Sequence, residues 1–210
     1  MREAKCLTGL EFQILTDQEL VGLAQHGDSE AFGELVSRYQ NRIYRLARRL
    51  TDSREDAEDV LQEAFTRAFR AIGGFKGASK FSTWLFRITV NLAAMRRRAQ
   101  RHSMESLDEP VTTADGEIMR DIRDKGATPL EALVDKELQE HLDQAISGLS
   151  PTNRAVFVLR HIEGLSTEET REVLKISVPA VKSRLHRARL TLQERLLSLA
   201  PEEAEAVCVG

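Results

Sequence analysis

The chain of 210 residues is 41% hydrophobic and 30% charged with only 5% aromatic side chains, which suits one medium or two small soluble domains and, with its abundant Leu, Ala, Arg and Glu, favours an all-α fold. Its net charge of -3 conceals a segregation: residues 38–101 hold 15 basic against 6 acidic side chains and residues 151–195 hold 9 against 5, whereas residues 102–150 hold 4 against 12, so two basic bodies flank an acidic connector and a polyanionic partner is expected. No run approaches the roughly 20 apolar residues that cross a bilayer, Glu3 and Glu11 interrupt any secretory core, and Cys6 and Cys208 lack metal-ligand or disulfide-framework spacing, so the expectation is a cytoplasmic protein without membrane segment, metal or cofactor.

The first strong local signal is Thr16 followed by Glu19, a capping box that predicts a short helix to Gln25, closed by Gly27. Phe32, Leu35, Val36, Tyr39, Ile43, Leu46 and Leu50 then recur at helical spacing over 29–50, with Arg38, Arg42, Arg45 and Arg49 on the other face. The cap cluster Thr51, Asp52 and Ser53 opens a third helix to Ile72, with Ala57, Val60, Leu61, Ala64, Ala68 and Ile72 as its apolar stripe, stopped by Gly73 and Gly74. After a loop from Phe75 to Lys80, Ser82 is a cap for a fourth helix carrying Trp84, Leu85, Ile88, Leu92 and Met95 and ending in Arg96, Arg97 and Arg98.

Periodicity vanishes over 101–127, which reads as an acidic linker and divides the chain into domains at 16–100 and 128–199, with extensions at 1–15 and 200–210. Thr128 and Pro129 then open a helix whose apolar face is Leu130, Val134, Leu138, Leu142 and Ile146, ended by Gly148. Ser150 and Pro151 start another that Gly164 ends. Ser166 with Glu169 is a second capping box, 167–174 a short helix, Lys175 and Ile176 a tight connection, and Ser177 the cap of a long basic helix with Pro179 in its first turn: the layout of a helix-turn-helix.

In that motif the second helix enters the major groove by its N-terminal part, here 178–189. Lys182, Ser183, Arg184, His186, Arg187 and Arg189 supply donors there, while Val181, Leu185 and Leu192 hold the helix on its own domain. The segment 75–101 joins a Gly-containing loop, three aromatics (Phe81, Trp84 and Phe86) and an Arg-ended helix, a composition suited to unstacked bases and phosphate. Trp84 is assigned to the core, and Phe75, in the loop, is the better candidate for an exposed aromatic. Asp56, Asp59 and Glu63 fall along one helix face and read either as partners of nearby arginines or as a docking face for a basic partner.

These residues resemble the extracytoplasmic-function group of bacterial sigma factors over about 16–199. EAFGELVSRYQNRIYRLA, DAEDVLQEAFTRAFR and KFSTWLFRITVNLAAMRRR are similar to the opening, the polymerase-docking helix and the minus-ten helix of that family's region two; LSPTNRAVFVLRHIEGLSTEE and ISVPAVKSRLHRARLTL are similar to its region four. The resemblance implies a promoter-specific initiation factor, not an enzyme, whose partners are core RNA polymerase, promoter DNA and an anti-sigma factor. It implies that Asp56, Asp59, Gln62 and Glu63 grip the β′ clamp coiled coil. It further implies that Phe75, Lys76, Lys80, Asn91, Arg96, Arg97 and Arg98 serve the minus-ten strand, one base of it flipped, and that Lys182, Ser183, Arg184, His186 and Arg187 read the minus-thirty-five duplex. Val156, Phe157 and Leu159 are the implied contacts with the β flap. Two positions depart from the pattern: Arg171 where a small residue usually packs between the helices, and Lys175 where the turn usually has Gly; a non-Gly residue with positive φ costs on the order of 1 kcal/mol, so the turn is expected to be bent differently, or looser.

Two other functions compete. A helix-turn-helix regulator acting without polymerase would not need the acidic helix and strand-capture segment of the first half. An enzyme lacks support in the inventory: His26, His102, His141, His161 and His186 are scattered, and neither a phosphate-cradling loop nor a nucleophile elbow occurs.

Overall fold

A computed structural model describes residues 9–105 and 141–199, and every regular element among these is helical. The first half comprises α1 (Gly9–Ile14), α2 (Asp17–Gln25), α3 (Ser29–Leu50), α4 (Arg54–Ala71) and α5 (Phe81–Glu105). Their starts follow from side-chain caps. The Thr16 hydroxyl accepts the Glu19 N–H while the Glu19 carboxylate accepts the Thr16 N–H, Asp28 accepts from Glu30 and Ala31 at 3.0 Å, and Ser53 accepts from Asp56 at 3.0 Å. The apolar stripes then fuse: Leu20 of α2, Leu35, Ile43 and Leu46 of α3, Ala57 and Ala64 of α4 and Leu85 and Phe86 of α5 are buried in one core. Trp84 joins them, as its spacing implied.

Several expectations are corrected here. The last residue of the third stripe, Ile72, lies in a 3₁₀ turn (Ile72–Gly74) rather than in α4, and Leu61 is only half-buried. Ser82 is not a cap, because α5 already begins at Phe81 and the Trp84 N–H donates to the Lys80 carbonyl at 3.1 Å, which puts Lys80 at the boundary. Met95, 52% exposed, drops out of the core stripe. The helix also continues through Glu105, beyond position 101 where the linker was to begin. The rest of that linker, 106–127, the following opening with Thr128, Pro129, Leu130, Val134 and Leu138, and both Cys6 and Cys208 lie outside the described residues.

The second half contains a helical segment at 141–147 (α6), α7 (Pro151–Phe157), α8 (Thr167–Leu174) and α9 (Val178–Leu199). Ile146 of α6 is buried, but Leu142 on its intended apolar face is exposed. The helix starting at Pro151 does not run unchanged to Gly164: it widens into a π-helical turn over Val158–Ile162, with the Glu163 N–H bonded to the Val158 carbonyl at 2.9 Å. Ser166 and Glu169 form their reciprocal cap on α8. Lys175 then adopts the left-handed conformation, φ 53° and ψ 46°, its N–H bonding the Arg171 carbonyl. The bend is therefore the one a glycine would make, and a lysine carries its strain. Arg171 is not wedged between helices; it is exposed and paired with Glu168 at 2.9 Å, and the buried Thr170 and Val173 occupy the interface instead.

One buried charge registers α4 against α5. Asp56, 5% exposed, accepts from Arg96 Nε at 2.7 Å, the Ser53 hydroxyl at 2.6 Å and the Gln100 amide, while a second Arg96 nitrogen bonds Asp59. Burial, the largest single influence, pushes the Asp56 carboxyl up, but the bonds from Ser53, Arg96 and Gln100 together with the Arg96 charge outweigh it and hold the group below its ordinary value.

The two halves also meet through ion pairs. Arg42 grips Glu163 through both its carboxylate and its carbonyl at 2.7 Å and lies 4.8 Å from the centre of the Phe86 ring. Lys80 reaches Glu169 at 3.0 Å, Arg49 reaches Asp143 at 3.5 Å, and Asp52 sits between Arg97 at 3.1 Å and Arg154 at 3.5 Å.

Three outcomes follow from this packing. Lys175→Gly removes the left-handed penalty and raises stability by about 1 kcal/mol in urea denaturation, provided the bend is native; a loss of stability would show another bend in solution. Asp56→Ala lowers stability by about 2 kcal/mol at neutral pH. Because the folded-state value is depressed, that difference is fully present above the unfolded carboxyl's 3.8 and disappears as pH falls through the lower folded value, so wild type and variant converge in acid. Glu163→Lys sets two cations against each other and increases the radius of gyration in X-ray scattering with unchanged helical circular dichroism; an unchanged radius would show that this pair does not hold the halves together.

Candidate polymerase and nucleic-acid surfaces

The acidic helix does not present its charges as one row. Asp56 is consumed by Ser53, Arg96 and Gln100 and has no free edge for a partner, which removes it from the solvated face on which the spacing placed it. Asp59 remains half-exposed beside Arg96, Gln62 is exposed, and Glu63 is half-exposed with an i,i+4 pair to Arg67 at 2.6 Å. Phe69, seven positions after Gln62 and so on the same face, is 52% exposed with its ring edge-on to Phe32 at 5.0 Å. Neither Phe65 nor Phe69 belongs to the apolar stripe legible in the sequence; Phe65 is buried and Phe69 is not, and an aromatic outside the stripe was the available signal for Phe69.

The loop before α5 is anchored at one end and open at the other. The Phe75 ring is half-buried, 5.0 Å from Trp84 and 6.3 Å from Phe81: it is more accessible than the buried Phe81, Trp84 and Phe86, as expected, but it packs on the cluster of Tyr39, Phe81 and Trp84 rather than standing free in the loop. Beyond it Lys76 is exposed, Gly77 takes φ +67°, and Lys80 is 76% exposed even while paired with Glu169. Along α5, Arg87, Asn91, Met95 and Arg98 recur at four- and three-residue steps and all reach solvent, forming a ridge in which only Asn91 and Arg98 were anticipated as contacts. The arginine triplet is divided in use. Arg96 is committed to Asp56 and Asp59, Arg97 is mostly buried beside Asp52, and Arg98 is exposed. A narrow crevice between this region and α8 is lined by Ser79, Thr83, Trp84, Arg87, Glu172 and Val173.

In the helix-turn-helix, Val181, Leu185, Ala188 and Leu192 are buried and seat α9 on its domain. Lys182, Ser183, His186 and Arg187 are exposed and Arg184 is half-exposed, so the residue types expected to meet DNA do reach solvent together over the first three turns. Arg187 donates to the Ser183 hydroxyl at 2.8 Å, one turn back. Arg189 bonds His161 at 3.1 Å, and burial, followed by the charges of Arg189 and Arg160, lowers the His161 pKa and favours the neutral ring that can accept this bond. Of the three apolar residues considered for the β flap, Val156 and Leu159 are fully buried and only Phe157, packed on His161, offers surface.

Comparison with known proteins agrees with this arrangement. The model of Sigma-70 region 2 matches residues 35–103 and that of Sigma-70 region 4 matches residues 139–192. The ECF RNA polymerase sigma-E factor of Haemophilus influenzae is 38% identical over 189 residues, covering 88% of this chain and 97% of that protein. The ECF RNA polymerase sigma factor SigW of Bacillus subtilis is 40% identical over 174 residues, covering 82% and 92%. CnrH, solved in complex with the cytosolic domain of CnrY, superposes with a TM-score of 0.60 at 29% identity over 87% of this chain and 97% of that one. With a buried helix-turn-helix seam, a basic reading face and near full-length relatives of one kind, this chain belongs to the extracytoplasmic-function sigma factors, the promoter-specific initiation subunits of bacterial RNA polymerase.

Proposed function

We propose a residue-level division of labour for this sigma factor. Asp59, Gln62 and Glu63, joined by the exposed Phe69, dock on the basic β′ clamp coiled coil of core polymerase. Asp56 contributes to that docking indirectly, by holding α4 on α5. The loop from Phe75 to Lys80, with Lys76, Lys80, Asn91 and Arg98, takes the single-stranded minus-ten element and a flipped base; Arg96 and Arg97 shape that surface from behind. Lys182, Ser183, Arg184, His186 and Arg187 read the minus-thirty-five duplex from the major groove, and Phe157 meets the β flap. Region two then spans 16–100 and region four 128–199, acting in the cytoplasm where polymerase is, and an anti-sigma protein is the regulatory partner.

The observation that carries this reading is the separation of buried from exposed residues on α9: the apolar seam of Val181, Leu185, Ala188 and Leu192 turns the basic and hydroxyl side chains of the same helix to solvent. The regulator acting without polymerase is disfavoured by α4, whose exposed Gln62, Glu63 and Phe69 have no use in an operator-binding protein. A regulatory protein partner is supported by CnrH, which was solved in complex with the cytosolic domain of CnrY.

The docking test avoids Asp59, since reversing it would also strike Arg96. Gln62→Lys with Glu63→Lys replaces a neutral and an acidic side chain by cations at an exposed and a half-exposed position, leaves the melting temperature within about 2 °C of wild type and abolishes core-polymerase binding in a pull-down with purified components. Retained binding would sink the docking assignment.

A further inference from the structure

The loop between the 3₁₀ turn and α5 has no ladder of backbone bonds to hold it, yet base capture needs a fixed loop. Its entry is fixed from α2. Gln25, the last residue of that helix, donates from its single side-chain amide nitrogen to the Ile72 carbonyl at 3.0 Å and to the Phe75 carbonyl at 2.7 Å, reaching 47 and 50 positions along the chain. A primary amide carries two N–H groups, and here each has one carbonyl. The Ile72 carbonyl also accepts the Phe75 N–H at 3.0 Å, so the turn and its external clamp share one acceptor. Phe75 is thereby held twice, by its ring against Trp84 and by its carbonyl against Gln25.

This has a directional consequence. In a planar trans peptide the N–H of one residue points opposite to the carbonyl of the residue before it. Drawing the Phe75 carbonyl toward α2 turns the Lys76 N–H away from α2, at the point where the chain leaves the aromatic cluster and becomes the exposed stretch Lys76, Gly77 and Ala78. A backbone donor of fixed direction next to an exposed lysine is a site for an acceptor on a base edge or a phosphate.

We propose that Gln25 is a positioning residue for minus-ten recognition: by clamping the Ile72 and Phe75 carbonyls it sets the Phe75–Lys76 peptide, and so the base preference of the loop, without itself touching nucleic acid. The inference rests on the reading that the loop from Phe75 to Lys80 captures a single-stranded base.

The chemistry of the clamp makes the test specific. Gln25→Leu removes both donors at nearly constant volume, Gln25→Glu sets a carboxylate against two carbonyls, and Gln25→Lys restores donors. Full-length protein is assembled with core polymerase, and binding is measured to the single-stranded non-template oligonucleotide that wild-type holoenzyme selects from a random promoter pool, and to the same oligonucleotide with each base replaced in turn. Discrimination between the selected base and its replacements at the captured position is expected to fall about tenfold in Gln25→Leu, further in Gln25→Glu, and to stay near wild type in Gln25→Lys, with core affinity and minus-thirty-five duplex affinity unchanged in all three. Asn91→Ala and Lys80→Ala are measured alongside. If those two weaken strand binding while Gln25→Leu and Gln25→Glu keep wild-type discrimination, the positioning role is overturned. A parallel loss of core, duplex and strand affinity in Gln25→Leu and Gln25→Glu would make Gln25 a general structural residue and overturn it equally. If neither Asn91→Ala nor Lys80→Ala affects strand binding, it is the capture reading that fails.

Discussion

A carboxylate removed from water at the α4–α5 crossing governs what the first half of this protein can present. Apolar stripes bring two helices together but tolerate sliding, because one methyl against another is nearly as good a turn further on; a buried Asp56 tolerates none. Its oxygens take Ser53 from the start of its own helix and Arg96 and Gln100 from the neighbour, and a shift of either helix would strand a charge. With the crossing fixed, the outer face of α4 carries Gln62, Glu63 and Phe69 while the exposed ridge of α5 carries Arg87, Asn91 and Arg98. The exposed face of α4 and the basic ridge of α5 are thus kept in one register by a residue exposed on neither.

The basic surfaces are not idle in the free chain. Arg42, Lys80 and Arg97 of the first half face Glu163 and Glu169 of the second half and the Asp52–Arg154 pair at the junction. These contacts differ in weight. Lys80 is largely in water, and such a pair contributes at most about 1 kcal/mol, whereas the Glu163 carboxylate is buried and one guanidinium bonds both it and the backbone carbonyl of the same residue. The Lys80 contact is therefore easily lost to a competing anion, while separating the halves completely must also expose Glu163. Exposed cations near the loop can exchange a carboxylate for another oxyanion such as phosphate at small cost, and salt screens both contacts alike.

What could be read from residues alone was what local hydrogen bonding decides. Thr16 with Glu19 and Ser166 with Glu169 announce helix starts because each satisfies donors within four residues of itself, and the seam of α9 is legible because helical periodicity needs no partner to be seen. The readings that changed all depend on contacts far along the chain. Asp56 looks like its acidic neighbours until Arg96 and Gln100 arrive from forty or more positions away. Phe75 looks like a free loop aromatic until Trp84 and Phe81 pack against it, and Ser82 looks like a cap until Phe81 is drawn into the core and starts the helix two residues earlier than that cap would. Gln25 carries no sequence signal at all: a glutamine at a helix end is ordinary, and only the carbonyls it meets give it meaning.

The turn of the helix-turn-helix shows how a departure in residue type can leave geometry intact. A lysine at the left-handed position costs on the order of 1 kcal/mol against glycine, less than the cost of letting α9 swing. Swinging would pull Val181 and Leu185 from contact with Val156 and expose apolar surface worth several times that amount at roughly 25 cal/mol per Å². The seam therefore dictates the bend and the backbone at Lys175 yields to it. The same reasoning explains Arg171: Thr170 and Val173 are the buried residues of α8 and Leu174 packs on the Val181 and Leu185 seam, so position 171 points to solvent and the size of its side chain ceases to matter. The direction of α9 is set by packing at its back, which leaves the exposed residues on its front free to vary without moving the helix.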